Sequence, residues 1–358
     1  MVIETGFLGK MCKTNVDNIN SMDFVLNLDI LNGCVHFCDG CFIQKERKGD
    51  WSEVLKNACK IAEDLTGKGL RFRELILGPT DFFSARNTIE ILKDPYFQKL
   101  LSFNEKTRIT ASCVFSNMDR ENFLEIFNIL DNESFYRKDM ILEFLVPLNS
   151  NKMLDRDQVY LDENKWALNH FENNSPKVID WSYVVNIGNN EVLREKYAET
   201  VEFIKTEFNT ILEFNPGFFR TNNNKLIDGK LSYWKGFLQD VLSKSDHRDL
   251  CLTSVDKHHN TANTICLNIL DDKVFFSPFI YEQIIDKSDL FLVDDLSADS
   301  ILAMHTGLQT KGYQYAGQTS NCEQCSYLTP CVGRNVLNFM EVRGKTDCIF
   351  PEEFKEIF

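Results

Sequence analysis

The feature that most constrains this chain is an alternation of strand-like and helix-like segments running from residue 22 to residue 214. Residues 22–30 (MDFVLNLDI), 71–77 (RFRELIL), 108–115 (RITASCVF), 141–148 (ILEFLVPL), 183–187 (YVVNI) and 209–214 (NTILEF) read as strands from their apolar, β-branched character. Helical periodicity fills the intervals, over 51–66, 86–102, 119–131, 155–170 and 190–207. The first helix is the most explicit, with Asp50 placed to cap it and Val54, Leu55, Ala58, Ile61, Ala62 and Leu65 on one apolar face. Six strands separated by helices require right-handed crossovers and a parallel sheet. The expected fold is therefore α/β, an open or partial barrel with its chemistry at the C-terminal ends of the strands. The pattern changes after about residue 222, and a boundary is expected within 220–250. The divisions are an N-terminal extension (1–21), the strand–helix repeat (22–222), a helical linker (223–250, with helix at 231–243) and a C-terminal domain (251–358).

Twelve cysteines are many for a chain of 358 residues, and they cluster. Cys34, Cys38 and Cys41 form C-x3-C-x2-C on the loop after the first strand; Cys322, Cys325 and Cys331 form C-x2-C-x5-C, with Cys348 seventeen residues on. Clusters of this kind point to metal in a reducing compartment rather than to disulfides. The N-terminus has no cationic stretch followed by an apolar core, so it does not read as a signal peptide, and the expected location is cytoplasmic. No apolar run reaches the roughly 18 residues of a membrane span. The net charge of -14 leaves no basic footprint for a nucleic-acid backbone.

Thiolates suit iron, and a set of three leaves one iron of a cuboidal cluster open to a further ligand. The alternative is structural zinc, which commonly uses two-plus-two spacing with a fourth ligand. Of the remaining cysteines, Cys59 and Cys113 read as core positions.

The C-x3-C-x2-C loop after the first strand resembles the signature of the radical S-adenosylmethionine (SAM) superfamily, and the resemblance in pattern covers about residues 22–215. It implies a partial (β/α)6 barrel, with a small C-terminal cysteine-rich iron–sulfur domain. It also implies a 4Fe–4S cluster on Cys34, Cys38 and Cys41, whose open iron is chelated by the amino and carboxylate groups of SAM. In that family one electron from the cluster cleaves SAM to methionine and a 5′-deoxyadenosyl radical, which abstracts hydrogen from substrate. One departure is Gly40, where the family often has an aromatic residue before the third cysteine.

The family's second marker is a turn after the second strand that contacts the SAM amino group, and Gly78-Pro79-Thr80-Asp81 occupies that place. Backbone carbonyls and one acid can both accept from an ammonium, so Asp81 stands where the family has glutamate. A plain Gly-Pro turn is the other reading of the same residues. The resemblance further nominates Ser112, Asn117, Glu143, Asn186 and Asn215, at or near strand ends, for the ribose hydroxyls and adenine edge.

The second cysteine group resembles the SPASM extension of certain radical SAM enzymes, which usually carries two auxiliary clusters. Cys322, Cys325, Cys331 and Cys348 match the ligand set of one of them. The other lacks its residues, with Asn335 at one cysteine position and Asp272 and Ser277 in the corresponding G-x4-C stretch. One auxiliary 4Fe–4S cluster is therefore expected, with structural zinc as the alternative for the four thiolates.

Enzymes with this extension commonly act on peptides, forming crosslinks or oxidised residues. Here that reading is weakened by the missing auxiliary site and by the lack of room expected before Met22 for a leader-peptide-binding domain, and Pro278, where the sulfatase-oxidising subgroup has aspartate, speaks against that activity. The alternative is a small-molecule substrate undergoing dehydrogenation, rearrangement or carbon–carbon bond formation. A flavodoxin or ferredoxin-type electron donor is implied by the resemblance; no nucleic-acid or membrane partner is expected.

Overall fold

The computed structural model describes residues 22–33, 50–78, 80–103, 108–112, 119–131, 141–147, 157–174, 178–186, 203, 206, 212–215, 250–252, 264–270, 273–276 and 292–316. In chain order they form β1 (Asp23–Asp29), α1 (Trp51–Gly67), β2 (Arg71–Gly78), α2 (Thr88–Lys93), α3 (Pro95–Ser102), β3 (Arg108–Ser112), α4 (Arg120–Asp131) and β4 (Ile141–Pro147). There follow α5 (Gln158–Asn174), β5 (Val178–Asn186), β6 (Leu212–Asn215), β7 (Leu250–Leu252), β8 (Thr264–Leu270), β9 (Lys273–Phe276) and α6 (Ala298–Ala316). The nine strands make one sheet in the order β7-β6-β5-β4-β3-β2-β1-β8-β9. Every pairing is parallel except β8 with β9. Among the described residues the edge strands β7 and β9 do not pair, so the sheet is open, a partial barrel.

The six strands expected from sequence are β1 to β6, adjacent in chain order as successive crossovers require. β8 and β9, which lie beyond the boundary expected at 223–250, are added on the far side of β1 in the same sheet. The expected 86–102 helix is two helices. Asp94 is extended (φ -73, ψ 134) because a residue before proline is pushed out of the helical region. It then caps α3 by accepting from the backbone N–H groups of Tyr96 and Phe97 at 2.7 and 3.4 Å, with Pro95 in the first turn.

Cross-strand register separates the sheet at β1, β2 and β8 into two chemically different faces, because paired residues on neighbouring strands share a face. Phe24, Leu26 and Leu28 pair with Phe72, Leu75 and Leu77 on one side and with Ile265, Leu267 and Ile269 on the other. None of these nine is more than 1% exposed. α1 lays its stripe of Val54, Leu55, Ala58, Ile61, Ala62 and Leu65 against these strands. Asp50 caps it as expected, accepting from Ser52 N–H at 2.9 Å. The opposite face carries Val25, Asn27 and Asp29 beside Glu74, Ile76 and Gly78, and beside Cys266, Asn268 and Leu270, with Thr264 beside Asp23. A bulge with Arg73 as the extra residue keeps both faces in phase. It leaves Phe24 stacked on Phe72 (centroids 4.9 Å apart) and Arg71 paired bidentately with Asp23 at 2.9 and 2.7 Å.

Candidate functional site

The C-terminal ends of β1 and β2 lie side by side, with Asp29 opposite Gly78. Beyond β1 the chain continues through buried Ile30 and Leu31 to Asn32 and Gly33. Gly33 has φ +85, a left-handed conformation that suits glycine, and Cys34 is the next residue. The three-cysteine segment thus follows in sequence on Gly33, just past the C-terminal end of β1. Cys34, Cys38 and Cys41 lie outside the described residues, as do Cys322, Cys325, Cys331, Cys348, Pro79 and Asn117. Among the described residues no group of three His, Cys, Asp or Glu is placed to hold a metal.

The turn after β2 is anchored from beneath by aromatic packing. Phe82 and Phe83 are 2% and 1% exposed. Phe83 meets Phe123 of α4 (centroids 4.5 Å apart), which in turn meets Trp166 of α5 at 5.2 Å. Asn122 Nδ2 donates to Phe83 O at 2.7 Å, and Thr88 Oγ1 donates to Phe82 O at 2.7 Å. Asp81 is 4% exposed, and its Oδ1 accepts from the backbone N–H groups of Phe83 and Ser84 at 2.8 and 3.2 Å. That oxygen therefore caps the turn itself.

Two observations in the same turn point to a ligand. A Cβ built on Gly78 meets no atom of the described residues within 4 Å, and its φ lies outside the left-handed region. Gly78 is itself buried, yet among the described residues neither packing nor backbone conformation calls for glycine there. Thr80 is 1% exposed, yet its Oγ1 has no hydrogen-bond partner among the described residues. A buried hydroxyl without a partner costs about 1–3 kcal/mol unless something binds it.

The remaining described candidates fall on one face by register. Thr110 pairs with Ile76 and with Glu143, Glu143 with Asp180, and Asn186 with Asn215. Counting by twos along each strand puts Gly78, Ser112, Glu143, Asn186 and Asn215 on the face of Asp29, away from the apolar side. Gly78, Ser112, Asn186 and Asn215 are each the last residue of a strand, all at the C-terminal edge of the parallel sheet, whereas Glu143 sits mid-strand.

Sequence reasoning missed two residues of this region. Asn268 of β8, opposite Asn27, is 4% exposed with neither amide atom partnered among the described residues. Asn87 reaches from the end of the turn to the segment before Cys34, donating to Ile30 O at 2.7 Å and accepting from Asn32 N–H at 2.9 Å. No local periodicity marks either one. Cys59 is a core residue as expected: its thiol donates to Tyr96 O at 3.1 Å, and burial pushes its pKa up to about 11.

No family model matches this chain, and no curated protein matches it. Solved structures share its fold. Native anSMEcpe with bound AdoMet and the Cp18Cys peptide superposes with a TM-score of 0.56, covering 94% of this chain and 96% of that one at 12% identity. A histidine-tagged form of anSMEcpe with bound AdoMet gives 0.51, with 94% and 92% covered at 11% identity. Streptococcus suis SuiB bound to precursor peptide SuiA gives 0.50, with 94% and 78% covered at 11% identity. At these identities the likeness is one of fold. Among the described residues no helix is long and apolar enough to cross a membrane.

Proposed function

We propose that this chain is a radical SAM enzyme that abstracts hydrogen from a peptide substrate, leaving a crosslink or an oxidised residue. The observation that carries the reading is positional. The C-x3-C-x2-C segment follows Gly33 in sequence, and at the end of β1 Asp29 pairs with Gly78, two residues before the buried Thr80 hydroxyl. The donor set fits the group: Cys34, Cys38 and Cys41 would hold a 4Fe–4S cluster with one iron open to SAM. Reductive cleavage of SAM at that cluster supplies the 5′-deoxyadenosyl radical.

The chain's own part is to bind, orient and exclude water. The carbonyls of 78–80 and the carboxylate of Asp81 would receive the SAM ammonium, with the Thr80 hydroxyl as a further hydrogen-bonding group. Ser112, Asn186 and Asn215, at strand ends on the same face, would hold the ribose and adenine edges, and Glu143 would lie one row deeper. The polar face through Asn27, Asp29 and Asn268 would receive the substrate. Two structures of this fold, solved with peptides bound, support the choice of a peptide. Cys322, Cys325, Cys331 and Cys348, in the C-terminal region from 251, would carry one auxiliary cluster. With four thiolates and no open iron, its simplest use is electron relay.

Anaerobic reconstitution followed by iron and acid-labile sulfide analysis tests the reading. The wild type should hold about eight of each, and a Cys34/Cys38/Cys41→Ala triple variant about four. Under strong reductant the wild type should form 5′-deoxyadenosine and the variant none. A variant that loses no iron would overturn the assignment of the first loop. About four irons in the wild type, with zinc retained in the variant, would make the C-terminal site structural zinc.

A further inference from the structure

We infer that Asn87 is a positioning residue that fixes the segment leading into the three-cysteine loop against the turn carrying Gly78, Thr80 and Asp81. The inference rests on the enzyme reading above and deepens it, because it concerns how the two halves of one cofactor site are kept in register.

Asn87 stands at the N-cap of α2, where an asparagine side chain ordinarily accepts from the helix's own N–H groups. It makes no such bond. Its carboxamide turns away instead and uses its donor on Ile30 O at 2.7 Å and its acceptor on Asn32 N–H at 2.9 Å. The residue is 8% exposed; its bond to Ile30 O is buried and its bond from Asn32 N–H is part-buried, and a shielded bond resists fraying better than an exposed one. A third bond runs in parallel: Arg86 N–H donates to Asn32 O at 2.9 Å. Asn32 is thus held through both its N–H and its carbonyl. The Arg86 side chain lies across Gly33, where a built Cβ would fall 2.9 Å from Arg86 Cγ and Nε.

The two sides of this clamp are 55 and 57 residues apart in sequence. One side runs on directly into Cys34. The other is the turn 78–87, itself fixed by Asp81, Thr88 and Asn122. Strand pairing aligns Asp29 with Gly78 but ends there, and the residues beyond carry the chemistry. Asn87 extends the alignment past the end of the sheet. A group bound partly by the cysteine loop and partly by the turn would feel any slack between them, since errors of about 1 Å can cost on the order of a hundredfold in rate.

The test uses the full chain with two variants and two independent readouts. In Asn87→Ala, hydrogen exchange at Asn32, followed by mass spectrometry on the apo protein, should run about tenfold faster, the scale of one lost hydrogen bond. In the reconstituted protein, the KM for SAM in substrate-free cleavage should rise roughly tenfold with iron content unchanged. Asn87→Asp keeps the acceptor for Asn32 N–H and loses the donor to Ile30 O. Asn32 should then stay protected while the KM for SAM still rises, a split that general destabilisation would not produce. This near-isosteric variant also carries the test if the alanine variant fails to fold. Unchanged Asn32 exchange in Asn87→Ala, or an unchanged KM in both variants, overturns the inference. Wild-type iron reports on the enzyme reading separately: no iron on the first loop, with faster Asn32 exchange in Asn87→Ala, would sink that reading and uphold the clamp.

Discussion

The two faces of the sheet at β1, β2 and β8 differ in chemistry and in closure: the helix-side face is fully buried, whereas Asn27, Ile76 and Cys266 on the other are half-buried. On the helix side Phe24, Leu26, Leu28, Phe72, Leu75 and Leu77 pack at no more than 1% exposure. On the other side Asp29, Glu74, Thr264 and Asn268 are buried at 4–5%, although each carries polar atoms that water would stabilise. Burying an apolar side chain is favourable by itself; burying a polar one is unfavourable until it is hydrogen-bonded. The helix-side face therefore needs no reason beyond folding. On the polar face the amide of Asn268 has no partner among the described residues, and the proposed binding site would supply one.

The largest expected effect is on the apolar side. Leu75→Ala should cost about 3 kcal/mol in denaturant unfolding, the usual cost of truncating a fully buried leucine. A cost under about 1 kcal/mol would show that this face is not the core. Gly33→Ala, at the exit from β1 where the two faces end, should cost about 1–2 kcal/mol by the same measurement. It forces an alanine to φ +85 and crowds the Arg86 side chain.

Asn268→Leu should behave in the opposite sense to Leu75→Ala. Removing a buried carboxamide that has no partner among the described residues should raise stability by about 1 kcal/mol. It should also lower turnover of substrate while leaving substrate-free cleavage of SAM unchanged. A loss of stability would mean that the fold itself satisfies the amide, and the contrast between the faces would narrow.

The last effect is confined to alkaline pH and concerns Cys59, on α1 beneath the apolar face. Its thiol titrates at about 11 in the fold against an ordinary value of 9.0, because burial disfavours the thiolate. The unfolded chain then releases that proton first as pH rises. The stability this thiol contributes is complete below pH 9 and is lost between about 9 and 11. Cys59→Ala should flatten that part of the stability–pH curve. Rapid alkylation of Cys59 at neutral pH would contradict its burial.

Much of the architecture was legible in the chain. The α1 stripe is buried residue for residue, and Asp50 caps it, because a helix of this length declares itself through local periodicity. Strands β1 to β6 follow their apolar segments within a few residues. The break at Asp94-Pro95 was legible in principle and was read through, because apolar periodicity continues across it. β8 lies past the six strands expected from sequence, and nothing in residues 264–270 says that they belong beside β1 rather than beyond β7. In the site, Gly78, Ser112, Asn186 and Asn215 were placed at strand ends from their positions alone, and the register puts them on one face. Asn87 and Asn268 gave no signal, since an isolated asparagine in sequence is indistinguishable from a turn or surface residue.

The sequence by itself determined what depends on neighbours within about ten residues: the helices α1, α4 and α5, the strands β1 to β6 and their order, and the place of a C-x3-C-x2-C segment after the first strand. The expected helices at 190–207 and 231–243 lie outside the described elements. The tertiary structure decided what depends on residues brought together from far apart. It set β8 against β1, divided one face from the other, and carried the Asn87 side chain to Ile30 and Asn32. The reason is that periodicity is written in local spacing, whereas the partner of a buried amide is chosen by strand register and crossover geometry, which are properties of the assembled sheet.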